Sequence, residues 1–579
     1  MSASLNRLVD EMLANAFSAC GLPTETARAT RSTLPELADL QCNGAMPLAK
    51  SLKRNPRELA AEVAEKLKEQ PAFKEVSVAG PGFLNLRLSD EFLSECAAAQ
   101  AASPDLGIVQ LPADTVVLDY GGPNVAKALH VGHIRALAIG ESLRRINVAQ
   151  GLNTVSDIHL GDWGLQMGQL ISEIRLRWPE LGPGETPDLT MDDLQRLYPE
   201  AAAACKADPA RMELARAATA ALQAGDPDAT AIWQKLRDIS LTAQRVDIDL
   251  LDTHFDLFLG ESDVQPLIPD MIADMRAKGV AVENDGALIV DVAIPGDNKP
   301  MPPLLLQKKD GAALYATTDL ATIVARVRDQ DPKRIIYVVD QRQELHFRQV
   351  FRAAELAGIA PGVELIHAGF GTVNGADGKP YKTRDGGVAQ LKDLLADAIE
   401  KARQRLDEVI AKRTVDPALD LDTLARQVGI GAVKYADLSS YRLSGYIFDI
   451  ERMTDLEGKT GPYVQYACVR TGSIQADARL KGFEAGTIAV EAQAERTLVL
   501  ECARLPEVVA SASRNNAPNE IADHVFTVAQ AFSRFYVACP VLKDNTEAER
   551  ASRLALCGLA RAVLEKELWL LGIEVPEKM

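Results

Sequence analysis

The sequence predicts an α/β fold: a doubly wound parallel sheet, preceded by a small α+β module and followed by an all-helical domain. Three observations predict it. Short apolar, β-branched runs at residues 116–120, 153–160, 334–339 and 363–370 alternate with helical stretches, as parallel strands joined by crossover helices do. Glycine-rich turns follow the first two runs, where such a sheet opens its ligand crevice. Apolar residues at helical spacing mark both ends of the chain.

The α+β module spans residues 1–112. Leu5, Leu8, Val9, Met12, Leu13, Ala16 and Phe17 follow i, i+3, i+4, i+7 spacing and predict an amphipathic helix. A second helix is expected over 56–69, and two strands over 75–88 around Gly80-Pro81-Gly82. Residues 100–112, small and polar with two prolines, read as a linker. The sheet domain covers 113–455. An insertion at about 180–303, helical in its middle and rich in Pro and Gly at both ends, separates its second and third strands. Residues 456–579 form the helical domain, where Leu556, Leu559, Ala560, Val563, Leu564, Leu568 and Leu571 make one apolar stripe.

Composition narrows the functional classes. A chain of 579 residues with 47% hydrophobic and 25% charged side chains is ordinary globular protein with room for three or four domains. No apolar run approaches the roughly 18 residues of a membrane helix, and acidic Asp10 and Glu11 spoil any secretory layout at the start. The cysteines (20, 42, 96, 205, 468, 502, 539, 557) are too widely spaced for zinc-type or redox Cys-x-x-Cys motifs, so reduced thiols, no zinc and a cytoplasmic, membrane-free location are expected. A net charge of −18 argues against nonspecific nucleic-acid binding over the whole surface. It leaves a local basic patch open, such as residues 50–57 with four cations and no acid, although a solvated loop explains that run equally well.

The most informative stretch is Asp119-Tyr-Gly-Gly-Pro-Asn-Val-Ala-Lys-Ala-Leu-His-Val-Gly-His133: a strand end, a Gly/Pro turn and a helix start. A helix N-terminus offers unpaired N–H groups and a positive dipole end to phosphate. His130 and His133, three apart, share one helix face, and Gly132 between them leaves room for a flat ring to approach the backbone. A bare His-x-x-His is also half of many metal sites, or two surface histidines.

His130-Val-Gly-His133 resembles the HIGH motif of class I aminoacyl-tRNA synthetases, and residues 123–127 before it resemble the arginyl members in particular. His159-Leu-Gly-Asp-Trp-Gly-Leu-Gln-Met-Gly168, Leu314-Tyr-Ala-Thr-Thr-Asp-Leu320, residues 337–347, 429–437 and 461–466 are similar to arginyl segments in the same order. The resemblance implies a Rossmann-type catalytic domain, an N-terminal module that touches tRNA and a C-terminal anticodon-binding domain. It also implies the reaction of an arginine–tRNA ligase. L-arginine and ATP, with Mg²⁺ on the phosphates, form arginyl-adenylate and pyrophosphate. The arginyl group then esterifies the 3′-terminal adenosine of tRNA(Arg). A monomer is expected.

The chemistry asks for positioning and for stabilisation of negative charge rather than covalent catalysis. His130 and His133 would donate hydrogen bonds to phosphate oxygens. Class I members usually carry a second motif, KMSKS, on a loop that closes over the phosphates. The loop here, Gly378-Lys-Pro-Tyr-Lys-Thr-Arg-Asp-Gly-Gly387, lacks it and carries an acidic Asp385. Many arginyl members instead place a lysine just ahead of HIGH, where Lys127 stands. Lys127 is therefore expected to supply the phosphate cation, with Lys379, Lys382, Thr383 and Arg384 as candidates on the loop.

By motif position, Asp119, Asn124, Tyr315, Asp319 and Gln343 match arginine-contacting residues. A planar, permanently charged guanidinium with five donors requires carboxylates and carbonyl-type acceptors. In the helical domain Tyr463, Tyr466 and Arg470 would stack on or pair with anticodon bases. The i, i+3 tyrosines suit helix packing equally well. The terminal Met579 matches a family end that lies near the anticodon. A cysteinyl relative would want zinc-ligand cysteines, and a noncatalytic paralogue would be expected to lose His130, Gly132, His133 or the pocket acids.

Overall fold

The computed structural model describes residues 4–297, 299–309, 314–381, 389–410, 419–543 and 545–579. The chain divides into two compact units. One comprises Met1–Gln110, Arg403–Tyr435 and Arg452–Met579; the other comprises Leu111–Ala402 and Ala436–Glu451.

In the first unit the opening helix runs Leu5–Ala19 and buries Val9, Leu13, Ala16 and Phe17, as its period demands. Ser4 caps it by accepting the Arg7 N–H. The helix Pro56–Lys68 starts with proline at its first position behind an Asn55 cap. The two expected strands, Phe73–Ala79 and Phe83–Leu88, form an antiparallel hairpin within a four-stranded sheet whose other members are Leu40–Cys42 and Ala29–Arg31.

The expected linker begins later than the sequence suggested. The helix Asp90–Ala102 includes Gln100, whose amide is spent on the Leu106 and Cys502 carbonyls at 3.2 and 2.8 Å. Five helices from Gly461–Leu480 to Glu547–Leu570 follow, and the last buries the predicted apolar stripe. Arg496, almost fully buried, pairs with Asp39 and, at 2.5 Å, with Asp90. It thereby ties the α+β module to the terminal helices.

In the second unit all four expected strands form one parallel sheet in the order Glu364–His367, Arg334–Val338, Thr115–Tyr120, Asn153–Asp157. Two of them end about three residues before the apolar pattern does. There the chain leaves the ladder for isolated pairings, Leu160 with Gly260 and Asp340 with Phe370. The central strand is buried from Val116 to Tyr120. The helix Val131–Ala149 packs on it so closely that a side chain at Gly140 would collide with the Tyr120 ring. The inserted segment contributes the helices Met191–Ala207, Pro209–Gln223 and Pro227–Leu250, and a three-stranded antiparallel sheet over residues 281–307.

Candidate active site

The carboxyl ends of the parallel strands collect the chemistry, as an open α/β sheet requires. After Tyr120 the chain turns through Gly121 and Gly122, both at positive φ. It then runs beside the second strand's exit, with Asn124 paired to Gly161. A Cβ at Gly161 would sit 2.2 Å from the Asn124 Oδ1, so any other residue there would displace the Asn124 side chain.

His130 is the N-cap of the following helix. Its Nδ1 accepts the Gly132 N–H at 3.0 Å, and its own N–H donates to the His133 Nδ1 at 3.0 Å. The two rings lie 3.9 Å apart, centroid to centroid. A Cβ at Gly132 would stand 2.8 Å from the His130 ring, so any other residue there would force that imidazole to shift.

Burial lowers the pKa of both histidines, and His133, also beside the His130 ring and Lys127, falls to about 3. Both are therefore neutral near pH 7. A neutral ring whose Nδ1 accepts carries its proton on Nε2. Each imidazole thus presents an Nε2–H donor, the form that suits a phosphate oxygen.

Lys127 is half-buried on the turn, its ammonium 5.0 Å from the centre of the Tyr198 ring. Lys379 is exposed on a tight turn in which its N–H donates to Asp377 at 3.1 Å and its carbonyl accepts from Gly375 at 2.8 Å. Lys382, Thr383 and Arg384 lie outside the described residues. Both described ends of their loop are anchored. Val373–Asn374 pairs with Tyr446–Ile447, while Ala389 and Leu391 hydrogen-bond Val131 and Leu129 beside the histidines. Arg135, two residues after His133 in the helix, is almost fully buried. It is ion-paired to Asp437 at 3.2 Å and donates to the Ser444 carbonyl at 2.8 Å.

The acids form a second cluster. Asp119 is not an open carboxylate, for it accepts from the Arg326 Nη2 at 2.6 Å, and the same nitrogen reaches Asp157 at 2.8 Å. Burial pushes the Asp119 carboxyl up and Arg326 only partly offsets it. Against the same push of burial, His159 and Arg326 hold Asp157 well below the usual carboxylate range.

Asp319 is half-buried on the helix Tyr315–Gln330, its Oδ2 2.5 Å from the His346 Nε2. Burial raises the Tyr337 phenol; Arg326 opposes this, and the charges of Asp119 and Asp319 add to it. Tyr315, at the start of that helix, is 75% exposed. Gln343 is exposed on the turn after the third strand, its N–H bonded to the Asp340 carbonyl at 3.0 Å.

One further acid in this group, Glu261, has no signal in the sequence. Burial pushes the Glu261 carboxyl up to about 7; His159 opposes this, and the charges of Asp162 and Asp319 add to it. Glu261 in turn helps to raise the Tyr315 phenol, after partial burial. It enters from the inserted segment, where its N–H is bonded to the Leu160 carbonyl at 3.1 Å. Asp157 lay inside the predicted strand run 153–160; in the structure it ends the strand, in register with Asp119.

In the helical domain Tyr463 packs 5.4 Å from the Phe526 ring with its hydroxyl 3.5 Å from Ser533, which is helix packing. Tyr466 is 36% exposed. The Arg470 guanidinium lies 6.0 Å from its ring and 4.1 Å from that of Tyr536, an aromatic the sequence reading missed. Met579 is half-buried at the chain end.

Family models match almost the whole chain: the arginyl tRNA synthetase N terminal domain over residues 3–88, the catalytic domain of tRNA synthetases class I (R) over 102–450, and the DALR anticodon binding domain over 464–579. A parallel sheet with its paired histidines at the strand exit, matched along its length by that catalytic domain, defines a class I aminoacyl-tRNA synthetase. The arginine–tRNA ligase of Maricaulis maris is 49% identical over 98% of each chain, and that of Hyphomonas neptunium is 46% identical over 97% of this chain and 98% of its own. The solved arginyl-tRNA synthetase of Thermus thermophilus is 26% identical and superposes with a TM-score of 0.81 over 99% of this chain and 100% of that one. The chain belongs to the arginine–tRNA ligase family.

Proposed function

We propose that the strand-end cleft carries out the arginine–tRNA ligase reaction that family membership implies: ATP-dependent formation of arginyl-adenylate, then transfer to the 3′-terminal adenosine of tRNA(Arg). The observation that carries the residue assignment is the fixed tautomer of the histidine pair. With each Nδ1 spent on a backbone amide, His130 and His133 offer two Nε2–H donors to phosphate oxygens as negative charge builds up. Lys127 supplies a full positive charge from the same turn, and Lys379, Lys382, Thr383 and Arg384 are the loop candidates for the pyrophosphate end.

Mg²⁺ would arrive on the ATP phosphates and neutralise part of their charge. Among the described residues no group of three or more His, Cys, Asp or Glu side chains could hold a metal ion.

For arginine, Asp319 and Glu261 supply negative charge beside Tyr315. Asn124 and Gln343 offer amide groups to the amino-acid end, and Asp119, held by Arg326, sets the field at the base of the pocket. A guanidinium satisfies paired acceptors that a point ammonium leaves unsatisfied, so lysine is rejected.

Residues 1–112 and 456–579 would engage tRNA, flanking a catalytic region over 113–455. Tyr466, 36% exposed, and Arg470 would offer a stacking surface to anticodon bases, with Tyr463 and Met579 as further candidates. Eight free cysteines suit a reducing cytoplasm, no helix among the described residues is long and apolar enough to cross a membrane, and we infer a monomer. Pyrophosphate exchange with arginine, lysine and cysteine, each with and without tRNA(Arg), tests the reading. Exchange with arginine alone is expected; exchange with lysine or cysteine but not arginine overturns it.

A further inference from the structure

We propose that the helix Pro227–Leu250, within the inserted segment, is a positioning element for the turn that carries Asn124 and Lys127, with Gln244 as its central residue. The inference rests on the phosphate-binding role given to Lys127 above.

The turn holds an unfavourable shape. Ala126 adopts φ +63 without being glycine, a conformation that persists only where its surroundings over-determine it. Three side chains do so here. The Gln244 Nε2 donates to the Asn124 carbonyl at 3.2 Å and to the Lys127 carbonyl at 2.9 Å, which uses both of its hydrogens. Ser240, four residues earlier and so on the same helix face, accepts the Ala126 N–H at 2.8 Å. Its own hydrogen goes to the Leu236 carbonyl at 2.7 Å, so the hydroxyl cannot rotate away. The Gln166 Nε2 donates to the Val125 carbonyl at 2.5 Å.

The carbonyls of residues 124, 125 and 127 and the amide of 126 are therefore all held by side chains. Gln244 is 2% exposed and Ser240 is fully buried, so water does not compete for these bonds. A lysine carries its charge on a flexible stem, and where that charge falls depends on where the backbone launches it. Without the two Gln244 donors the Lys127 carbonyl loses this partner and the Asn124 carbonyl keeps only the long bond from the Lys127 N–H at 3.4 Å. The turn is then free to leave the left-handed region, which swings the Asn124 and Lys127 side chains off their present directions.

Gln244→Met keeps the length of the side chain and removes both donors. In arginine-dependent pyrophosphate exchange it is expected to lower kcat by about 10- to 100-fold, the scale of a small misplacement of a catalytic group, with the KM for ATP within about twofold. Gln244 acts on kcat through Lys127, and a displaced Asn124 would show in the KM for arginine, so the double variant with Lys127→Met should have a kcat no lower than that of Lys127→Met alone. Losses that multiply, or a wild-type kcat in Gln244→Met, overturn the positioning role. If Lys127→Met itself exchanges at the wild-type rate, the phosphate role beneath the proposal falls; a slow Lys127→Met beside a wild-type Gln244→Met removes only the clamp. Ser240→Ala, which deletes a single oxygen from the same face, carries the same expectation and serves if Gln244→Met does not fold.

Discussion

Arg326 donates from its Nη2 to the Asp119 carboxylate at 2.6 Å, across 207 positions of sequence and in a site where the arginine side chain is 4% exposed. The same nitrogen holds Asp157, so one cation pins the exits of two neighbouring strands. Removing one member of a buried ion pair leaves the other charge uncompensated, at a cost of roughly 3–5 kcal/mol. Arg326→Met is therefore expected to lower unfolding stability by about that amount, measured by urea denaturation. A variant as stable as the parent would show that the two carboxyls simply protonate.

Lys127→Ala tests the cation ahead of the histidine pair. Loss of about 3 kcal/mol of transition-state stabilisation should slow adenylate formation by about 10²-fold. The KM for arginine should move little, because the change lies at the phosphate end. Normal single-turnover activation would remove Lys127 from the chemistry.

Glu261 should make arginine recognition depend on pH. Its carboxyl lies at about 7 against an ordinary value of 4.5, and only the charged form attracts a guanidinium. The KM for arginine should fall as pH rises through 7, while Glu261→Gln should raise the KM by roughly tenfold and flatten the profile. The folding consequence has the opposite sense. The native state holds this proton where the unfolded chain has already lost it, so stability falls as pH rises from 4.5 to about 7. The glutamine variant should lack that decline, and an unchanged KM profile would exclude Glu261 from the pocket.

His133 gives the reverse slope. Its folded pKa is about 3 and its ordinary value 6.5, so between those limits the unfolded chain binds a proton that the native protein refuses. Stability should therefore fall as pH drops from 6.5 toward 3, by up to one proton's worth of slope. His133→Asn can keep an acceptor for the His130 amide but has no imidazole to titrate. Its stability–pH curve should run flatter than the parent's over that window. Parallel curves would mean that His133 titrates alike in both states.

Much of the fold was legible because strand and helix periods are local. The runs at 116–120, 153–160, 334–339 and 363–370 all became strands of one sheet, and the opening helix buries five of the seven residues its spacing marked, with Leu8 and Met12 half-buried. The histidine helix was legible too, since a cap, a glycine and a face are all set within four residues. The linker was read too early because composition says nothing about Gln100 finding the Cys502 carbonyl.

From its sequence alone this protein's element types, their order, its family resemblance and the phosphate-facing segment could be read, because each depends on residues within a turn or two of one another. Only tertiary structure decided which charges were free. Asp119 belongs to Arg326, Glu261 arrives from an insertion, and Gln244 holds a turn 120 positions away. A buried charge or carbonyl takes whichever partner packing brings to it once water is gone, and periodicity carries no record of that choice.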